Sequence, residues 1–292
     1  MRIRPVSIVL PFLLLAACAD AANGPGDGGI DHPTDAADVL VRVEIGGGFV
    51  PIEWNFRNLP AFALYGDGTL VTPGAQIELY PGPALPAISR RTVDEAGIQA
   101  ILRETLDATE GLPADLGDMG TIGIADAATT YVTVRGGDVD RRIEAYALSE
   151  LPERPQGMPE DVYRARQRLA ELVTKLGSLD AWVPDGSLGP EEAFEGEAAR
   201  VFVSRYRAVD DLEQQVISWP LGGSLASFGT SDGLPEGYRC GTVMGEEWRT
   251  LHEAASRANE LTPWKDGGER YAIVLRPLLP DESGCSADPL AP

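Results

Sequence analysis

Val39, Val41, Val43 and Ile45 alternate with Leu40, Arg42 and Glu44, a period of two that predicts a strand over 39–45. Gly46-Gly47-Gly48 ends it. From Ala61 to Thr72 two apolar runs flank Gly66-Asp67-Gly68, the pattern of a hairpin with a tight turn. Residues 76–80, QIELY, alternate again and predict a further strand, stopped by the Pro/Gly cluster PGPALP. The apolar spacing then becomes helical at Val93, Ile98, Ile101, Leu102 and Leu106 and lasts until Gly111. Thr92 and Glu95 stand three apart in front of it, as in a capping box. A second hairpin is expected over 129–148, turning at Gly136-Gly137-Asp138. A longer helix is expected from Pro159 to Leu176, with Val162, Leu169, Leu172, Val173 and Leu176 on its buried face and Gly177 at its end.

Residues 178–197 break this regularity with Gly, Pro and acidic positions, and read as a junction that Trp182, Val183 and Phe194 pack somewhere. Beyond it the pattern predicts strands at about 199–206 and 238–244, a helix from Glu246 to Glu260 and a strand from Arg270 to Arg276. The last three make a β-α-β unit. The expected fold is α+β: a mostly antiparallel sheet backed by helices over 39–177, then a smaller α+β domain over 198–292.

The N-terminus has a different character. Arg2 and Arg4 precede an apolar run from Val6 to Ala17 interrupted by Pro11, too short for a membrane span of about 20 residues but shaped like a secretory signal peptide. Leu15-Ala16-Ala17-Cys18 resembles the lipobox of bacterial lipoproteins, which implies removal of residues 1–17 and lipidation of Cys18. Residues 19–38 are small, polar and without apolar period, so they read as a flexible tether in which His32 is solvated.

Composition narrows the partners. With 45 acidic and 24 basic residues the formal charge is −21, and loss of Arg2 and Arg4 leaves −23. Such a surface does not suit nucleic acid, which needs clustered cations. The expected attachment to the membrane is therefore through lipid, with an envelope protein or glycan as further partner. If Cys18 carries lipid, only Cys240 and Cys285 remain of the three cysteines. An exported pair of this kind predicts a disulfide, contributing about 4 kcal/mol by loop closure. The segments FALYGDGTLVTPG, GYRCGTV and RYAIVLRPLLPDESGC resemble stretches of uncharacterised secreted lipoproteins from GC-rich bacteria. That resemblance implies export and a two-part chain, and carries no catalytic residue.

Candidate chemistry is sparse. His252, beside Glu253 on the expected helix, lacks a second histidine at the zincin position, where Ser256 stands. Gly222-Gly223-Ser224-Leu225-Ala226 approaches a nucleophile elbow but lacks its final glycine. Trp54 and Phe56, two apart, would share a strand face and offer a ligand platform, while Trp248, Leu251, Ala255 and Ala258 form a helix core stripe. No cofactor motif or metal-ligand set is recognised, and no catalytic residue is assigned. The leading expectation is a lipid-anchored, non-catalytic binding module at the cell envelope. The alternatives are an envelope hydrolase using carboxylates, or Ser224 with His252, and a solute-capturing lipoprotein.

Overall fold

A computed structural model describes residues 28–117, 124–150, 153–209 and 211–285; Cys18 and the expected signal peptide lie outside them. Two sheets organise the chain. The first contains β1 (Val39–Gly46), β2 (Phe62–Tyr65), β3 (Thr69–Pro73), β4 (Ile88–Thr92), β5 (Thr129–Gly136), β6 (Val139–Tyr146) and β7 (Glu192–Ala193). They are ordered β6-β5-β1-β2-β3-β4-β7, and every pairing is antiparallel. Helices α1 (Ile52–Arg57), α2 (Glu95–Thr109) and α3 (Glu160–Leu176) belong to the same half.

One face of this sheet is covered by α2 and α3. Ile98, Ile101 and Leu102 of α2 and Leu169, Leu172 and Leu176 of α3 close over Leu64, Val41, Val43, Val132 and Val134. The other face carries Ala63, Tyr65, Val71 and Ile88 and meets Leu279. Strand β2 is thus buried on both faces, which is why its sequence, FALY, is an unbroken apolar run. In the β2–β3 turn Gly68 has φ +82°, and a Cβ there would collide with the Val93 carbonyl.

The second sheet contains β8 (Ala198–Arg205), β9 (Ile217–Ser218), β10 (Arg239–Met244), β11 (Trp264–Asp266) and β12 (Glu269–Pro277), with α4 (Gly245–Ala255) between β10 and β11. Its order is β10-β8-β12-β11-β9, with β9 and β11 parallel. Strands β10 and β12 both run antiparallel to β8, one on each side of it. The expected β-α-β unit is therefore present with β8 inserted between its strands. Trp248, Leu251 and Ala255 of α4, together with Trp264, cover the face formed by Val201, Val203, Ile273 and Leu275. The opposite face offers Phe202, Cys240 and Val274, and Phe56 of α1 covers it.

Several expectations change. The cap of α2 is Asp94, whose Oδ1 accepts from the Gly97 N–H at 2.9 Å, because Thr92 is spent in β4 opposite Thr69. Residues 76–80 form no strand, since β4 takes the place beside β3. Trp54 and Phe56 lie on a helix, where two residues span about 200° and point to opposite sides: Phe56 is 0 % exposed and Trp54 68 %. Helix α4 ends at Ala255 rather than near 260. Within the expected junction, β7 pairs with β4 and Leu188 bridges Val93, so this stretch completes the first sheet. Residues 28–38 are not free of the domain either. The Ile30 N–H donates to Gln99 Oε1 at 2.7 Å, and Gln99 Nε2 donates back to the Ile30 carbonyl. The His32 side chain is 6 % exposed, with Nε2 3.3 Å from Glu95.

Candidate functional site

The disulfide pair meets where expected. Cys240 on β10 and Cys285 are bonded, with Cα atoms 6.0 Å apart, inside the ordinary range. This bond fixes the end of a segment, residues 279–285, that touches both sheets. Asp281 Oδ1 accepts from Arg42 Nη2 on β1 at 2.6 Å and from the Tyr65 hydroxyl on β2 at 2.8 Å. Glu282 accepts a bidentate pair from Arg276 on β12, at 2.5 and 2.7 Å, and the Leu279 N–H at 2.9 Å. Arg276 Nε also donates to the Asn58 carbonyl, just past α1.

Electrostatics follow from this burial. Burial alone would raise the Asp281 carboxyl, but the hydrogen bond and charge of Arg42 hold it below the usual carboxylate value. Burial pushes the Tyr65 phenol well up. Tyr238 is pushed up to about 12, first by burial and then by its hydrogen bond to Glu53. These groups are locked into pairs within the fold, and their geometry is that of a clamp between sheets.

Ser224 and His252 are not brought together. Ser224 Oγ donates to Asp266 Oδ2 at 2.7 Å, and the same oxygen accepts the Leu225 N–H, which is the chemistry of a turn. The His252 ring instead meets Trp248 edge-on, with centroids 5.2 Å apart. It borders an open cleft of about 400 Å³ with Glu191, Glu192 and Glu195. All three acids are exposed, so the cleft lacks the apolar shielding that tunes a carboxyl into a general acid. Among the described residues no group of three or more His, Cys, Asp or Glu could hold a metal ion, and no helix is long and apolar enough to cross a membrane.

The surface most unlike its surroundings is apolar. Phe49 is 88 % exposed, and its near neighbours in the chain, Ile45, Val50 and Trp54, are exposed as well. The Phe49 N–H donates to the Asp126 carbonyl at 3.1 Å, so the backbone beneath this side chain is held. Gly48, at φ +83°, makes the approach possible, since its missing Cβ would crowd the same carbonyl. Helix α1 is anchored by Phe56, stacked on Phe202 at 4.1 Å and 6°, which turns Trp54 outward. Arg57, one turn on from Trp54, donates to Glu260 and to the Pro83 carbonyl. Glu260 in turn accepts the Gly82 N–H at 3.0 Å. This binds α1 to the bend that carries exposed Ile77, Leu79 and Tyr80.

The sequence contained signals for these residues. Phe49 and Val50 are two large apolar residues between three glycines and Pro51, outside any period that would bury them. The alternation in QIELY was a genuine apolar pattern without a strand to pair with. No protein-family model matches the chain, and neither does any curated protein or solved structure.

Proposed function

We propose that the protein is a lipid-anchored, extracytoplasmic, non-catalytic module that docks an envelope protein on the surface formed by Phe49, Trp54, Leu79 and Tyr80. The observation carrying this reading is the outward presentation of large apolar side chains from backbone that is itself hydrogen-bonded. Exposed apolar surface of this kind marks interaction sites, and aromatic anchors supply most of the binding energy in such interfaces. Glu78 adjoins Leu79 in the chain and the Asp126 backbone holds Phe49, in a chain of formal charge −21. The complementary partner presents an apolar ridge with a basic rim.

Placement relative to the expected anchor supports the same reading. The described chain enters beside Gly136 and Gly137, where the Gly137 N–H donates to the Asp31 carbonyl. Phe49 follows the other end of β1, where Gly46 pairs with Thr129. Strand β5, eight residues long, separates the two ends by about 24 Å. With the anchored end toward the membrane, the apolar surface stands at the far end of β5 from it.

The test is photo-crosslinking in cells producing the full chain. A crosslinker at Phe49 or Tyr80 should give one discrete protein adduct, reduced at least tenfold by Trp54→Asp, and none from exposed Glu171 on α3. No adduct at either position, or one indifferent to Trp54→Asp, overturns the docking surface. For the anchor, Cys18→Ser should move the protein from the membrane to the soluble fraction, and retention on membranes contradicts lipidation.

A further inference from the structure

A second feature lies on the opposite face of the second sheet from α1. Cross-strand partners share a face, and Arg205 is opposite Tyr271, while Arg239 and Ile273 are both opposite Val203. Arg205, Arg239 and Tyr271 therefore continue the Val203 face, beyond the part covered by α4. There they line a cavity of about 360 Å³, whose rim is completed by Ala226, Gly237 and Glu269.

Some cations of the fold are ion-paired, whereas Arg141, Arg166 and Arg168, like Arg239, donate to backbone carbonyls. Arg42, Arg57, Arg91, Lys175 and Arg276 each face a carboxylate within 3.0 Å, as a strong acidic excess makes easy. Arg239 instead donates from Nε to the Phe228 carbonyl at 3.1 Å and from Nη2 to the Leu225 carbonyl at 2.5 Å. Two neutral acceptors orient its guanidinium, and neither cancels its charge. No ion pair joins Arg239 to a described carboxylate. Arg205 has only Glu269, at 3.5 Å between two largely exposed side chains, a contact weakened by solvent. Gly237, at φ +91° with open space where a Cβ would be, leaves the mouth unobstructed.

We propose that this cavity is a binding site for an oxyanion, a carboxylate or phosphate group, carried on a small polar molecule or sugar. Its volume is that of a small-ligand site. Guanidinium forks match both oxyanions through paired N–H donors. An arginine already fixed by carbonyls loses little freedom on binding. The half-buried ring of Tyr271 beside the cations gives an apolar wall for the C–H face of a sugar. Glu269 sets the selectivity: the ligand must draw Arg205 away from it, which a neutral ligand cannot do. The net charge repels anions at long range, so binding here depends on these short-range contacts.

Titration calorimetry of the folded chain with digalacturonate, inorganic phosphate and neutral digalactose tests the site. Digalacturonate should bind at least tenfold more tightly than digalactose, and Arg239→Gln should weaken it at least tenfold. Arg239 also holds the 225–228 turn, so Arg205→Gln serves as the second variant. Arg205 is largely exposed and meets only Glu269, and its loss should weaken binding threefold or more with Tm unchanged. Phosphate binding as tightly as digalacturonate, with the same dependence on both arginines, supports the oxyanion site and removes the sugar. Absence of binding by both anions, or binding indifferent to both arginine variants, overturns the proposal. Crosslinking at Phe49 is unaffected by either result.

Discussion

Two positions apart on α1, Trp54 and Phe56 have opposite fates on substitution. Phe56→Ala removes a fully buried ring and the stack on Phe202, and should cost about 3 kcal/mol in chemical denaturation. Trp54→Ala touches an exposed side chain and should stay within about 0.5 kcal/mol, while abolishing the crosslink at Phe49. Asp281 is the other decisive residue. Arg42 Nε already lacks a partner, so Asp281→Asn leaves a buried cation without its counter-charge and should cost about 2 kcal/mol. The sign of the pH effect follows from the depressed carboxyl. Its contribution is complete above the unfolded value of about 3.9 and is lost as pH falls through the lower folded value. Denaturation curves of wild type and Asp281→Asn should therefore differ at pH 7 and converge in acid; a constant gap would contradict the pairing.

Among elements, those with one buried face could be read directly. Strands β1, β5 and β12 and helices α2 and α3 appear at the residues where the apolar period changes, because a single covered face imposes a single period. Three others could not. Strand β4, ISRRT, has charged residues mid-strand because Arg90 and Arg91 find Glu192 and Asp180, partners a hundred residues later or nearly so. Helix α1 is six residues long, too short to stand by its own propensity, and exists because Phe56 finds Phe202. The 76–80 stretch carries strand alternation, yet both sides of β3 are already taken by β2 and β4. Its Leu79 N–H bonds only to the nearby Ile77 carbonyl. Hydrogen exchange should accordingly be fast over 75–80 and slow over 88–92, and equal protection would restore the missing strand. The candidate surface was half visible for the same reason. Its apolar residues stand out in the sequence, but their exposure depends on which strands are already paired, and the arginines of the cavity converge only through the register of their strands.

Across the whole molecule, the segment 279–285 holds the two sheets to one another through Asp281, Glu282 and Cys285. Cys285→Ser should lower stability by up to about 4 kcal/mol, and both thiols of the folded chain should resist alkylation until reduced. Free reactive thiols in the oxidised protein would contradict the pairing. This clasp also imposes an order of assembly. Chains are made from the N-terminus, so the strands of both sheets exist before the piece that joins them has been synthesised. The carboxylates of Asp281 and Glu282, by seating first on Arg42 and Arg276, would then deliver Cys285 to Cys240 and so select the thiols that are oxidised. A chain cut short before Asp281 would display two arginines on otherwise apolar sheet faces. That is an unfinished surface of the kind that chaperones and quality-control proteases recognise, so seating of this segment hides it only once both sheets and the clasp are in place.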